Sequence, residues 1–157
     1  MKKVLLIAAA IVMFIPFVSG QSNVEEVEFF QSIFGSEKKA IVAEFINLEG
    51  EAKDAFWTAY DEYEIQRKAF GKNRIALLEK YAETYEGMTD TQTDEIMAST
   101  SKQMKSLNKL IDTYYKKIKK SSGSKSAAQF FQLEHYFLSV VRLSILETIP
   151  LIGELDN

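Results

Sequence analysis

The sequence predicts an all-α protein, and three features of it support that class. No segment alternates apolar and polar residues as a half-buried strand would. After residue 20 the chain has one proline, Pro150, so little interrupts a helix. In two long stretches, apolar and aromatic residues recur at alternating steps of four and three, the spacing of a helical seam. We expect an antiparallel helical bundle or hairpin with two long helices, short N-terminal helices and a buried C-terminal helix.

The first twenty residues have the pattern of a secretory signal peptide. Lys2 and Lys3 precede an unbroken apolar run of twelve residues, 4–15, and small residues stand just before Gln21. The run is short for a membrane span, which needs about 20 apolar residues. We expect cleavage between Gly20 and Gln21 and export to the periplasm or the medium. An uncleaved membrane anchor is the alternative.

Cleavage would leave one helical domain, residues 21–157. This domain would contain 22 acidic and 17 basic residues, which gives a formal charge of −5. Nucleic-acid binders are usually basic, so this charge argues against that class. The chain has no cysteine, which excludes cysteine catalysis, thiolate metal sites and disulfides. A domain near 150 residues buries roughly 70% of its unfolded surface. The hydrophobic core therefore has to supply the stability.

Two short helices are expected at the start of this domain. The first is predicted over 24–34 and ends at Gly35, and the second over 37–46. A break follows at "NLEGE", residues 47–51. A long helix is then predicted over 51–85, with Gly87 ending it in the left-handed conformation. Its seam consists of Phe56, Tyr60, Tyr63, Arg67, Phe70, Arg74, Leu77 and Tyr81.

The second half of the chain predicts two further helices. One covers 90–120, with the seam Met97, Thr100, Met104, Leu107, Ile111, Tyr114 and Ile118. The other covers 126–148 and is apolar on nearly every side, as a helix central to a core would be. The two long helices would each measure about 45–50 Å at roughly 1.5 Å per residue. An extended shape or a homodimer would cover the excess seam.

The sequence "MTDTQ" contains a helix-capping signal. The Thr89 hydroxyl is placed to accept a hydrogen bond from the N–H of Gln92, whose side chain reaches back to the N–H of Thr89. Met88-Thr89-x-x-Gln92 also resembles the LTxxQ motif of the Spy/CpxP-like family of small periplasmic helical proteins, with Met for Leu. The position of a second copy, Leu48 to Ala52, keeps only the leucine. The resemblance covers roughly 37–120 and implies a periplasmic chaperone or stress-response role.

No catalytic or metal-binding pattern is visible. His135 is the only histidine, and its neighbour Glu134 points about 100° away around a helix. A metal site needs several convergent ligands, and no glycine-rich phosphate loop is present. We expect neither an enzyme nor a cofactor. Metal sensing through His135 and carboxylates is a minor alternative.

Three charged residues stand at apolar positions. Arg67 and Arg74 lie seven apart on the seam of the long helix, and Glu134 lies in the apolar first half of the last helix. Because an unpaired buried charge is very costly, at least one arginine is expected to form an interhelical ion pair with Glu134. The alternative is that both arginines line an open binding face.

The functional hypothesis combines export, amphipathic helices and the family resemblance. It is an ATP-independent chaperone, or envelope-stress helper, that binds exposed apolar segments of other envelope proteins. Phe29, Phe30 and Phe34 on the amphipathic first helix are the candidates for client contact. The alternative is a regulatory protein that binds the periplasmic domain of one sensor or anti-sigma partner. Neither hypothesis involves nucleic acid or stable membrane insertion.

Overall fold

Four α-helices make up the part of the chain that the structure describes. This computed structural model describes residues 24–154, and side chains from residue 34 onward. The helices are α1, Val24–Phe45; α2, Gly50–Thr84; α3, Asp90–Ser122; and α4, Ser124–Leu146. No strand occurs between residues 24 and 154. The predicted all-α class is confirmed; the expected signal peptide lies outside the described residues.

Side-chain contacts give the relative direction of the helices. Between α2 and α3, Lys80 pairs with Glu95 near the connecting turn, and Gln66 donates a hydrogen bond to Tyr114 farther away. This opposite order along the two helices is that of antiparallel neighbours. Between α1 and α2, Lys39 pairs with Asp61, while Phe34 lies beside Arg67, again in opposite order.

Helices α2 and α4 run in the same direction. Tyr63 donates a hydrogen bond to Glu134, and Tyr81, five turns later on α2, donates one to the carbonyl of Pro150 beyond the end of α4. The offset between the paired residues is nearly constant along both helices. Together with the α3–α4 packing, these contacts give an alternating up-and-down order of the four helices.

The core is concentrated at one end of the helices. It is formed by aliphatic and aromatic side chains around three rings of α2, Phe56, Tyr60 and Tyr63. Tyr60 and Tyr63 pack against Phe130 of α4, and Tyr63 also packs against Tyr114 of α3. The other buried members are Val42, Ile46, Ala59, Ile111, Ile118, Ala127, Phe137 and Leu138. Close ring pairs of this kind are worth about 0.5–1.5 kcal/mol beyond their buried area.

The N-terminal part differs from the expectation of two short helices. Gly35 does not end a helix, because α1 continues without a break from Val24 to Phe45. Glycine is weakly helix-forming but is not forbidden in a helix, and here the contacts of Lys38, Val42 and Ile46 hold the following turns in place. The predicted break does occur at residues 46–49, immediately after this helix.

The last helix is less buried than its composition predicted. Phe130, Glu134 and Phe137 are buried, whereas Leu143 and Leu146 are more than half exposed. An apolar composition on every side does not by itself put neighbours on every side. Helix α4 has one buried face, and its second half carries an exposed apolar surface.

Replacing Gly35 with alanine tests whether the glycine is needed. Among the described side chains, a Cβ at Gly35 would meet only Glu64 Oε2, at 4.0 Å, which is ordinary van der Waals contact. Because glycine inside a helix costs about 1 kcal/mol relative to alanine, Gly35→Ala should raise the free energy of unfolding by about 0.5–1 kcal/mol. Urea denaturation measures the change.

Gly87→Ala is the matched control. Gly87 has φ of 70° in the α2–α3 turn, where a side chain is strained even though space is open. This control should destabilise the protein. A loss of stability for Gly35→Ala as well would mean that the backbone near Gly35 needs glycine for another reason.

Candidate functional site

The best-defined polar site is a buried ionic cluster that joins three helices. It consists of Lys38 from α1, Glu64 and Arg67 from α2, and Glu134 from α4. The side chains of Lys38 and Glu134 are almost completely buried. Two cations and two anions meet there, so their formal charges cancel.

Lys38 is the centre of the buried ionic cluster. Its Nζ lies 2.5 Å from Glu64 Oε1 and donates a hydrogen bond of 2.8 Å to Glu134 Oε2. Glu134 Oε1 also lies 2.6 Å from Nζ, but without the angles of a hydrogen bond. The single ammonium group therefore holds carboxylates from two different helices.

Three aromatic rings surround the Lys38 ammonium. Its Nζ lies 5.7 Å from the ring centroid of Tyr60, 5.2 Å from that of Tyr63 and 5.5 Å from that of Phe137. The face of an aromatic ring attracts a cation at such distances, and the attraction is strongest where water is excluded. The rings thus offset part of the cost of removing Lys38 from water.

Tyr63 and Arg67 complete the environment of Glu134. The Tyr63 hydroxyl donates a hydrogen bond of 2.6 Å to Glu134 Oε2. Arg67 Nε lies 3.9 Å from the same oxygen, which is an ion-pair distance but too long for a hydrogen bond. The Arg67 guanidinium also lies 5.2 Å from the ring centroid of Phe34.

The pKa values of the buried groups follow from burial and from these neighbours. Burial lowers the pKa of Lys38, against the opposing effect of the Glu134 charge. Burial also acts to lower the pKa of Arg67, but Glu64 and Glu134 outweigh it, and the net pKa is raised. Burial raises the pKa of Tyr60 and of Tyr63, and the nearby carboxylates raise both further.

The buried ionic cluster is better suited to holding helices together than to catalysis. A lysine with a lowered pKa is a familiar nucleophile in enzymes, but it must meet its substrate. The Lys38 amine is sealed beneath three rings and two carboxylates. Its contacts instead tie α1 to both α2 and α4, and we interpret them as structural.

The two arginines of the α2 seam have different charged neighbours in the structure. Arg67 lies beside Glu134, whereas Arg74, two turns farther along α2, has no ion pair with it. The charge that most affects Arg74 is Arg142: burial first, and then this second cation, lower its pKa. Glu134 is engaged mainly by Lys38, which the sequence reasoning missed.

A sequence signal for Lys38 exists. Phe34, Lys38 and Val42 are spaced four apart on one face of α1, and Ile46 continues this spacing just after the helix. Dividing this segment into two helices at Gly35 conceals that stripe. A continuous helix would have placed Lys38 between apolar neighbours on the buried face, where a charge needs partners.

The capping residues lie far from the buried ionic cluster. Thr89 Oγ1 accepts a hydrogen bond of 3.3 Å from the N–H of Gln92, and Gln92 Oε1 accepts one of 2.9 Å from the N–H of Thr89. This reciprocal pair starts α3 at Asp90, while Met88 precedes it in the turn and is half-buried. A cap of this type contributes typically about 1 kcal/mol.

The proposed client-contact residues are only partly described. The side chains of Phe29 and Phe30 lie outside the described residues, and Phe34 is half-buried beside Arg67. Exposed apolar side chains occur elsewhere, at Met97 and Met104 of α3 and along the end of α4. His135 is half-buried, its ring centroid 4.4 Å from that of Phe131.

Neither a metal-binding group nor a membrane span is found in the part of the chain that the structure describes. Among the described side chains, those of residues 34–154, no three of His, Cys, Asp or Glu are grouped to hold an ion. None of the four helices combines the length and the apolar character needed to cross a bilayer. Comparisons of the chain with protein-family models, curated protein sequences and solved structures gave no match.

Breaking the Lys38–Glu134 pair should strongly destabilise the protein. Lys38→Met leaves Glu134 buried without its main cation, and Glu134→Gln leaves the ammonium with one carboxylate fewer. Losing one partner of a buried pair typically costs about 3–5 kcal/mol. Urea denaturation of each variant measures the loss of unfolding free energy.

The double variant Lys38→Met plus Glu134→Gln separates pairing from packing. It leaves Arg67 and Glu64 as a balanced pair, so it should lose less stability than the two single losses added together, by at least about 1 kcal/mol. Lys80→Met, which removes an exposed ion pair with Glu95, is the control and should change little. Additive single losses would contradict a direct interaction.

Alkaline pH should unfold the protein through Tyr60 and Tyr63. Both have raised pKa values when folded, so above the ordinary tyrosine pKa of 10.0 the unfolded chain releases protons that the folded chain retains. Stability should fall by up to about 1.4 kcal/mol per pH unit for each of the two. Lys38 acts in the opposite sense, but only up to its ordinary pKa of 10.5.

Denaturation at several pH values, with tyrosinate absorbance, measures this effect. A Tyr60→Phe plus Tyr63→Phe variant should lose stability less steeply between pH 10.5 and the unfolding point. Ionisation of all seven tyrosines in a protein that stays folded would contradict the prediction.

Proposed function

We propose that the protein is exported and binds exposed apolar segments of other envelope proteins as an ATP-independent chaperone. Export rests on the signal-peptide pattern of residues 1–20, and the chaperone role on the resemblance of Met88-Thr89-x-x-Gln92 to the LTxxQ motif. Membership of the Spy/CpxP-like family is part of this proposal.

The observation that most supports apolar binding is a stripe on α3 that changes from buried to exposed. Met97, Met104, Ile111 and Ile118 are spaced seven apart, and so they share one face of the helix. Ile111 and Ile118 are 0% exposed, whereas Met104 is 41% exposed and Met97 52%. The core stripe therefore continues past the side chains that cover it.

Exposed apolar side chains of the C-terminal part lie at the same end of the bundle. Leu143 and Leu146 of α4 and Leu151 and Ile152 after it are all substantially exposed. The antiparallel α3–α4 packing, seen where Tyr115 meets Phe131, brings the end of α4 level with the start of α3. We call these four residues, together with Met97 and Met104, the open apolar surface.

The composition of the open apolar surface suits varied partners. Surfaces with several exposed apolar residues usually mark interaction sites. Methionine is flexible and polarisable, and it recurs on surfaces that bind many different sequences. Contacts of this kind need neither nucleotide nor cofactor, in keeping with the proposed ATP-independent action.

Suppression of client aggregation tests the proposal. The chain from Gln21 should slow the aggregation of an unfolded model protein at stoichiometric amounts. Met97→Gln plus Met104→Gln, which changes polarity with little change in volume, should require several-fold more protein for the same effect, because the apolar contact is weakened. Light scattering measures the aggregation.

Ile65→Gln is the matched control. Ile65 of α2 is 71% exposed and is not part of the open apolar surface. The control variant should suppress aggregation as well as the unchanged chain. No suppression by the unchanged chain at a large excess would reject the chaperone proposal, and equal loss in both variants would reject the assigned surface.

A further inference from the structure

Three helices contain long stretches without any acidic residue. These stretches are residues 65–78 of α2, 96–111 of α3 and 135–146 of α4, and we call them together the acid-free belt. Their basic members are Arg67, Lys68, Lys72, Arg74, Lys102, Lys105, Lys109 and Arg142. In a chain with a net charge of −3, such a local excess of positive charge needs an explanation.

The three stretches lie at one level of the bundle. Gln66 meets Tyr114 and Lys80 pairs with Glu95, so residues 65–78 of α2 run beside roughly residues 97–115 of α3. Tyr63 meets Glu134 and Tyr81 meets Pro150, which brings the same part of α2 level with residues 136–147 of α4. The belt is therefore continuous across three helices.

The centre of the acid-free belt holds two like charges. Arg74 of α2 and Arg142 of α4 are level by this register, and burial together with the positive charge of Arg142 lowers the pKa of Arg74. Among residues 34–154, neither has an acidic side chain within ion-pair distance. At the edge of the belt, by contrast, Arg67 has both Glu64 and Glu134 nearby.

The open apolar surface overlaps this belt. Met97 and Met104 lie within the α3 stretch, and Leu143 and Leu146 lie within the α4 stretch. The exposed cations Lys102, Lys105 and Arg142 stand among them. A complementary ligand would be apolar on one side and carry several negative charges.

The chain contains a segment of this composition. Residues 24–34, "VEEVEFFQSIF", contain three glutamates, no basic residue and six aromatic or aliphatic residues in an amphipathic pattern. Phe34 lies beside Arg67, and the helix continues from there toward Val24 for about 15 Å at 1.5 Å per residue. Since α1 and α2 are antiparallel, this half of α1 extends along the belt.

We propose that the acid-free belt binds an acidic amphipathic segment of a partner protein, in competition with the first turns of α1. The proposal deepens the proposed function, since it assigns a charge preference to the open apolar surface. Apolar contacts supply part of the affinity, and the cations select segments with carboxylates. By sequence, the three glutamates of residues 24–34 give the first turns of α1 the acidic amphipathic character proposed for the ligand.

Peptide binding to the chain from Gln21 tests this inference. The probe is a fluorescent peptide with the sequence of residues 24–34, and its analogue carries glutamine in place of the three glutamates. The acidic peptide should bind about tenfold more tightly at low ionic strength, and the difference should shrink in high salt. Fluorescence anisotropy gives both dissociation constants.

Two variants of equal charge change locate the site. Arg142→Gln plus Lys105→Gln removes two exposed cations inside the acid-free belt, and should abolish most of the preference for the acidic peptide. Lys53→Gln plus Lys125→Gln removes two exposed cations outside it, and should preserve the preference. Equal affinity for the two peptides, or equal losses in the two variants, would overturn the proposal.

A third variant tests competition by α1. Glu25→Gln, Glu26→Gln and Glu28→Gln within the chain should tighten binding of the acidic peptide, because its internal competitor is weakened. Unchanged affinity would overturn the competition. If neither peptide binds while aggregation is still suppressed, the belt proposal fails and the chaperone proposal stands; if the acidic peptide binds at the belt but no client is protected, the chaperone proposal fails.

Discussion

The ammonium group of Lys38 is the constraint on which the packing of α1 depends. Removing a lysine from water is costly, and here the cost is offset by two carboxylates and three aromatic faces supplied by α2 and α4. These partners satisfy the charge only when α1 lies in one rotation and one register. Val42 and Ile46, one and two turns later, then enter the core with it. An apolar residue at position 38 would tolerate several registers, whereas a charge tolerates only one.

This polar centre divides the bundle into two unequal parts. On the side of the α1–α2 and α3–α4 connections, aromatic rings and isoleucines fill the interior. Toward the other end, the same helical stripes carry partly exposed methionines and leucines, and each of three helices has a stretch without acidic residues. A dense half that fixes the fold and an open half that carries apolar and basic groups are a reasonable arrangement for a binding protein.

Much of the fold was accessible from the sequence because helices are encoded locally. The ends of α2, α3 and α4 lie within a few residues of their predicted positions, since Gly87, the Thr89–Gln92 cap and the "SSG" connection act on neighbouring residues. Glu134 was recognised as a charge needing a partner because it stands among apolar residues. Its main partner, Lys38, was not recognised, because Lys38 lies 96 positions away in the sequence and no local rule favours it over the arginines. The false break at Gly35 arose from giving a weak local preference more weight than tertiary contacts.

The sequence by itself determined the helical class, the helix ends after residue 50 and the capping of α3, because backbone hydrogen bonds and side-chain caps act over three or four residues. Only the tertiary structure decided which cation meets Glu134, where a continuous apolar stripe passes from core to surface, and that three acid-free stretches lie at one level. Periodicity states which residues share a face of one helix. It does not state what lies opposite that face, and burial, ion pairing and local charge all depend on the neighbour.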